Sequence, residues 1–188
     1  SDTLFVTVNN LPPTVSANGP YTGTAGAPVT LHASASDPGG TIFSYAWDLD
    51  DDGVFDDGIG LTAVYTWTLA AIHNVAVRVT DAQGLSDTDA TTVTIVPAAL
   101  HHIVLSPQSA TIYGWETQTY TTEAFDVYDN SRGDITPQTA FSIVEPDDGG
   151  YWSANVYHPL RHGDWTVRAV HTDTLVTVTD TGTLLVCS

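Results

Sequence analysis

Lysine and methionine are absent from this 188-residue chain, cysteine occurs once, and 22 acidic residues face only four arginines. Each shortage excludes something. Without lysine there is no Schiff-base chemistry and no Lys–Asn isopeptide cross-link. A formal net charge of −18 excludes binding along a nucleic-acid backbone, which needs clustered cations. It also disfavours docking on anionic lipid. With Cys187 alone, an internal disulfide is impossible, and the thiol is either inert or a link to another chain. No apolar run approaches the roughly 18 residues of a membrane span, so direct membrane insertion is not expected. Glutamate is scarce too. The acids are 19 Asp and three Glu, and Asp favours turns, caps and metal loops where Glu favours helices. No amphipathic helix is discernible.

What is present is alternation with period two. Val29, Leu31, Ala33 and Ala35 share one face, as do Phe43, Tyr45 and Trp47, then Val75, Val77 and Val79, then Val93 and Ile95. In the second half Trp165, Val167 and Ala169 repeat the pattern. Turn signals such as Asp37-Pro38-Gly39-Gly40, Asp81-Ala82-Gln83-Gly84, Asp129-Asn130 and Asp148-Gly149-Gly150 separate the runs. Short strands so spaced predict an all-β chain of two tandem immunoglobulin-like β-sandwiches.

An internal repeat sets the boundaries. Ser1, Asp2, Thr3, Thr7, Val8 and Pro12 match Ser86, Asp87, Thr88, Thr92, Val93 and Pro97. Residues 86–96 read as the last strand of a sandwich, so residues 1–10 read as the last strand of a preceding repeat or as a donor strand. The first sandwich is expected over 11–97 and the second over 98–188.

Residues 48–57 carry six carboxylates in ten positions. Asp48, Asp50, Asp52 and Asp56 stand at positions 1, 3, 5 and 9 of a D-x-D-x-D-G loop, with Gly53 at position 6. Alternate residues of a tight loop converge on one centre, and Gly permits the reversal. Crowded carboxylates repel, and Ca²⁺ relieves this with six to eight oxygen ligands. Position 12 is Ile59 rather than Glu, so the loop is not a complete EF-hand.

Ala17-Asn18-Gly19-Pro20-Tyr21, Ser36-Asp37-Pro38-Gly39-Gly40-Thr41-Ile42, Tyr45-Ala46-Trp47-Asp48 and Val79-Thr80-Asp81 together resemble the PKD (polycystic kidney disease) domain. That family implies an immunoglobulin-type sandwich found in cell-surface proteins and as an accessory module of secreted hydrolases. The resemblance further implies Asp48, Asp50, Asp81 and Asn18 as Ca²⁺ ligands. Two ligand sets therefore share Asp48 and Asp50: Asp52 and Asp56 come from the local loop, Asp81 and Asn18 from the family, with one ion or two left open. The family's later aromatic pair falls on Trp67 and His73, and Ala71 stands where a Gly is usual. Trp47 is expected in the core, and His73 is expected as a satisfied strand histidine.

Residues 120–130, Phe141-Ser142-Ile143 and Trp165-Thr166-Val167 more loosely resemble bacterial Ig-like domains, which implies a spacer or adhesive module. Asp126, Asp129 and Asp134 lack alternation and read as turn carboxylates. His158 and His162 lie about 13 Å apart if extended, too far for one zinc. Trp115, Tyr151, Trp152 and Tyr157 could form a sugar platform if exposed.

No G-x-S-x-G, P-loop, H-E-x-x-H or dinucleotide fingerprint occurs, and an enzyme is not expected. The reading is a non-catalytic, Ca²⁺-stiffened structural segment of an extracellular or cell-surface stalk, layer or fibre. Its partners are neighbouring domains of the same array or neighbouring subunits. Two alternatives stand beside it: a filament subunit assembled by donation of residues 1–10, and a glycan- or protein-binding accessory module.

Overall fold

The computed structural model describes residues 9–146, 150–174 and 176–188. The expected strand at 1–10 lies outside this range apart from Asn9 and Asn10, and the turn at Asp148-Gly149 lies outside it as well. The chain divides into two compact units, one ending at Val96 and one beginning at Pro97.

The first unit contains β1 (Thr14–Ser16), β2 (Tyr21–Thr24), β3 (Pro28–His32), β4 (Ser34–Ser36), β5 (Ile42–Asp48), β6 (Gly58–Ile59), β7 (Thr62–Thr66), β8 (Ile72–Asp81) and β9 (Ser86–Val96). One sheet runs β2-β9-β8-β5-β6; the opposing layer is made of the pairs β1-β4 and β3-β7. The alternation read from the sequence places Val29, Leu31, Val75, Val77, Val79, Val93 and Ile95 inside, around a fully buried Trp47. The indole N–H of Trp47 donates to the Gly60 carbonyl at 2.9 Å, so its one polar atom is satisfied in the core. Phe43 departs from the expected inward row. The β5–β8 register shifts between Ile42 and Ser44, and Phe43, the extra residue of that bulge, turns out to solvent, 78% exposed.

The second unit contains β10 (His102–Ser106), β11 (Ser109–Tyr113), β12 (Gln118–Thr119), β13 (Thr121–Phe125), β14 (Ser131–Asp134), β15 (Ala140–Ile143), β16 (Tyr151–Ser153), β17 (Val156–His158), β18 (Gly163–Thr172) and β19 (Thr177–Cys187). Its sheets are β11-β19-β18-β15, β10-β13-β14 and β12-β17-β16. Leu105, Tyr120, Tyr157, Val167, Ala169 and Leu184 form its core. The only helical turn among the described residues is a three-residue 3₁₀ segment at Thr136–Gln138.

The two units share one device. In each, the first strand pairs in one sheet, and the chain then crosses to the other. The crossing follows a cis Gly19-Pro20 bond in the first unit and a cis Ser106-Pro107 bond in the second. It delivers β2 parallel to β9 and β11 parallel to β19. Carboxylates on the last strand then hold the first. Asp87 and Asp89 accept the N–H of Val15 and Ala17 at 3.0 and 2.9 Å, and Asp180 accepts that of Leu105 at 2.8 Å.

Candidate metal centre

The loop after β5 is built by its own aspartates. Asp48, buried at the strand end, accepts the N–H of Asp51 at 2.9 Å and of Gly53 at 3.0 Å. Asp57 closes the loop by accepting the N–H of Leu49 and Asp50 at 2.6 and 3.1 Å. Asp51 and Gly53 take φ of 64° and 84°, the left-handed conformation that lets the chain reverse so tightly. Asn74 holds Asp51 at 2.9 Å, and the Arg78 guanidinium lies 4.5 Å from the centre of the Phe55 ring.

This folding brings one oxygen each of Asp48, Asp50 and Asp52 within 4.8 Å of one another. At Ca–O distances of 2.3–2.6 Å, oxygens on opposite sides of one ion are about 5 Å apart, so the spacing fits a shared Ca²⁺. The donors are all hard oxygens, which favours Ca²⁺ or Mg²⁺ over zinc. The Asp50 carboxyl is raised above its ordinary value, by desolvation first and then by the charges of Asp52, Asp57 and Asp48. A cation would remove that repulsion. Asp56 is exposed and is not one of the three; the neighbouring Asp57 does the structural work instead.

Asp81 is elsewhere. Ile42 faces Asp81 across the β5–β8 ladder, while Asp48 faces Ala76. The five residue steps from Ala76 to Asp81 span about 17 Å of strand. Asp48 and Asp81 therefore stand at opposite ends of one ladder and cannot share an ion. Asp81 is 1% exposed. It accepts the N–H of Gln83 and Leu85 at 2.9 and 2.8 Å and the Asn10 amide at 2.6 Å. Burial pushes its carboxyl up, but Asn10 and the backbone N–H groups of Leu85, Gln83 and Gly84 outweigh this and hold it below the usual range.

Around it the structure gathers residues the sequence reading left aside. Asn10 Oδ1 and Asp37 Oδ2 are enclosed and have no hydrogen-bond partner among the described residues. A methyl-sized group on Gly40 would sit 2.9 Å from Asp37 Oδ2, 3.3 Å from Gln83 Oε1 and 3.6 Å from Asn10 Oδ1, so three oxygens point at one small space. Enclosed oxygens without donors are costly, and a cation is one way to satisfy them. The signal was present in Asp37-Pro38-Gly39-Gly40, read as a plain turn, and in Asn10, assigned to the preceding strand.

Asn18 is engaged at the β3–β4 junction. Its amide donates to the His32 carbonyl and its oxygen accepts the Ser34 hydroxyl, both at 3.0 Å. His73 bonds the Leu69 carbonyl at 2.9 Å and packs on Trp67.

In the second unit the three candidate carboxylates do not converge. Asp126 is consumed by the turn at 126–130, Asp129 lies 3.7 Å from His102, and Asp134 accepts the Thr136 N–H. His158 stacks on Tyr151 while His162 lies against Trp115. Of the four platform aromatics, Trp115 and Tyr151 are exposed, but Tyr157 is buried and Trp152 packs against the core.

The first unit is thus a β-sandwich with carboxylate or amide oxygens gathered at both ends of its β5–β8 ladder. A family model for the PKD domain matches residues 10–96, and the first unit is a PKD domain. The second is an immunoglobulin-like sandwich. Among solved structures, a mouse cadherin-23 fragment (EC22-24) is 16% identical with a TM-score of 0.56, over 96% of this chain and 67% of that one. A Drosophila N-cadherin fragment (EC1-4) is 10% identical with a TM-score of 0.57, over 95% of this chain and 50% of that one. The D00-D0 fragment of intimin is 14% identical with a TM-score of 0.50, over 92% and 99%. At these identities the likeness is one of fold. No helix among the described residues is long and apolar enough to cross a membrane.

Proposed function

We propose that this chain is a non-catalytic structural segment of an extracellular stalk, surface layer or fibre, stiffened by Ca²⁺, with its partners the neighbouring domains of the same array. The observation that carries the reading is the pair of enclosed, donor-less oxygens of Asn10 and Asp37 beside buried Asp81. An ion there would tie the entry of the first sandwich at Asn10 to the end of β8 and to the turn after β4. The Asp48, Asp50 and Asp52 oxygens would take a second ion at the other end of the same ladder. Asn10, Asp37 and Asp81 would fix where the chain enters; Asp48, Asp50 and Asp52 would fix the long hairpin loop. Ca²⁺ bound only by the folded state stabilises it by about 2.7 kcal/mol at 100 times the dissociation constant. Millimolar extracellular Ca²⁺ would make even a weak site effective.

The test is thermal unfolding followed by tryptophan fluorescence, in millimolar Ca²⁺ and in EGTA. A rise in Tm with Ca²⁺ that shrinks in both Asp81→Asn and Asp50→Asn is expected. An unchanged Tm in the parent chain would refute the stiffening role.

A further inference from the structure

Gly58 to Val77 is a stretch of 20 residues with neither proline nor any Asp, Glu, Lys or Arg. Strand β7 lies within it and, among the described residues, pairs with β3 on one side only. The side that faces β3 can be read from the ladder. The Leu61 carbonyl accepts the Ala33 N–H at 2.8 Å, and Ala33 continues the β3 register in which Leu31 faces Ala63 and Val29 faces Tyr65. Main-chain groups alternate sides along an antiparallel strand. Leu61, Ala63 and Tyr65 thus bond inward to β3, and Thr62, Val64 and Thr66 turn their N–H and C=O groups to the open edge. Their side chains are exposed as well, Val64 at 60%.

Open edges are normally blunted by charge, proline, a bulge or brevity. Several other edges here are. β14 carries Arg132 and Asp134 and has a register shift opposite it; β2 and β11 follow Pro20 and Pro107 closely; β6 has two residues. The five-residue β7 carries none of these devices.

We propose that β7 is a self-association edge, and that its occupant is β7 of a second copy of this chain. The sequence of the edge selects that partner, because it is self-complementary. Each copy carries a formal charge of −18, so this uncharged strand is where two copies repel least. An antiparallel pair centred on Val64 sets Val64 against itself and Thr62 against Thr66, favourable pairings for a sheet. In that register the free N–H and C=O groups of Thr62, Val64 and Thr66 meet their counterparts in three hydrogen-bonded pairs, and Ala63 faces Tyr65 on the inner side. The two-fold relation closes the assembly at a dimer.

Sedimentation of the full chain at rising concentration, in EGTA and moderate salt, tests this independently of any ion. A reversible dimer is expected, tighter as salt screens the repulsion. Val64→Lys and Thr66→Lys, checked for folding by tryptophan fluorescence, should each weaken it at least tenfold. Register is tested by cross-linking in a Cys187→Ser background. At a hydrogen-bonded pair the Cα atoms stand about 5.5 Å apart, within disulfide reach. Val64→Cys should therefore oxidise to a covalent dimer faster than Thr111→Cys, on the outer face of β11. A monomer at all concentrations, a dimer indifferent to both lysines, or equal cross-linking at the two positions would each overturn the proposal.

Discussion

Replacing Asp126 by Ala removes a buried side chain that ties the start of the second unit to its first hairpin. Asp126 is fully buried. One oxygen accepts the N–H of Tyr128 and Asn130 at 2.8 and 3.0 Å. The other accepts the Ala98 N–H at 2.7 Å and the Asn130 amide at 2.9 Å. Burial alone would push this carboxyl up, but the Asn130 amide and the backbone N–H groups of Ala98, Asn130 and Tyr128 overcome it and hold it at about 2, below its ordinary 3.8. That difference corresponds to about 2 kcal/mol of stability. Because the folded value is the lower one, the contribution is complete above about pH 4 and is lost as pH falls through about 2. Hydrogen bonds to a charged group are worth about 1.5–3 kcal/mol each and do not add fully, so truncation should cost about 3 kcal/mol. For a unit of about 90 residues this is a fall in Tm of roughly 12–24 °C. Scanning calorimetry of the full chain would show one transition displaced and the other unmoved. Asp126→Asn should in addition flatten the acid dependence of that transition between about pH 4 and pH 2. A loss below about 1 kcal/mol, or an acid profile unchanged in the Asn variant, would refute the reasoning.

Two further outcomes follow from backbone proximity and from distance. Gly182 lies under the crossing of the first strand, where an added Cβ would stand 2.8 Å from the Gln108 carbonyl oxygen; Gly182→Ala should lower stability by about 1–3 kcal/mol, measurable by urea unfolding. In Ca²⁺, Asp50→Asn and Asp81→Asn act at sites about 17 Å apart along the strand, so their effects on urea stability should add within about 0.5 kcal/mol; a larger coupling would mean a single site.

The sandwich was legible because its signals are local. Val75, Val77 and Val79 on β8 and Val29 and Leu31 on β3 alternate with polar neighbours, and Asp-Pro-Gly-Gly marks a reversal whatever surrounds it. Phe43 was misread because a bulge shifts the face of one residue without altering the alternation around it. The candidate sites divide along the same line. Asp48, Asp50 and Asp52 are near in sequence, so their convergence follows from loop geometry. Asn10, Asp37 and Asp81 meet only through the pairing of β5 with β8 and the course of the chain before β1. No spacing rule reaches contacts across 71 residues, the separation of Asn10 from Asp81. The resemblance named Asp81 beside Asp48 and left one ion or two open, because a motif string gives the order of residues and not which end of a strand each occupies.

The abundance of aspartate then has a physical meaning beyond charge. In helical proteins acids are commonly balanced by Lys and Arg along a helix face, but here four cations serve 22 acids. The aspartates are paired mainly with backbone. Asp48, Asp57 and Asp81 shape the loops of the first unit, Asp87 and Asp89 hold its first strand, and Asp126 and Asp180 do the same work in the second. A backbone N–H satisfies a carboxylate oxygen but brings no net positive charge, so each such bond adds stability locally and a unit of repulsion globally. Repulsion is least tolerable where carboxylates meet, as in the loop after β5, and where an enclosed oxygen has no donor, as at Asn10 and Asp37. A β-protein that closes its turns with aspartate and has no lysine must take its countercharge from solution. On the proposed function, a divalent cation would supply it at these two places without any further side chain.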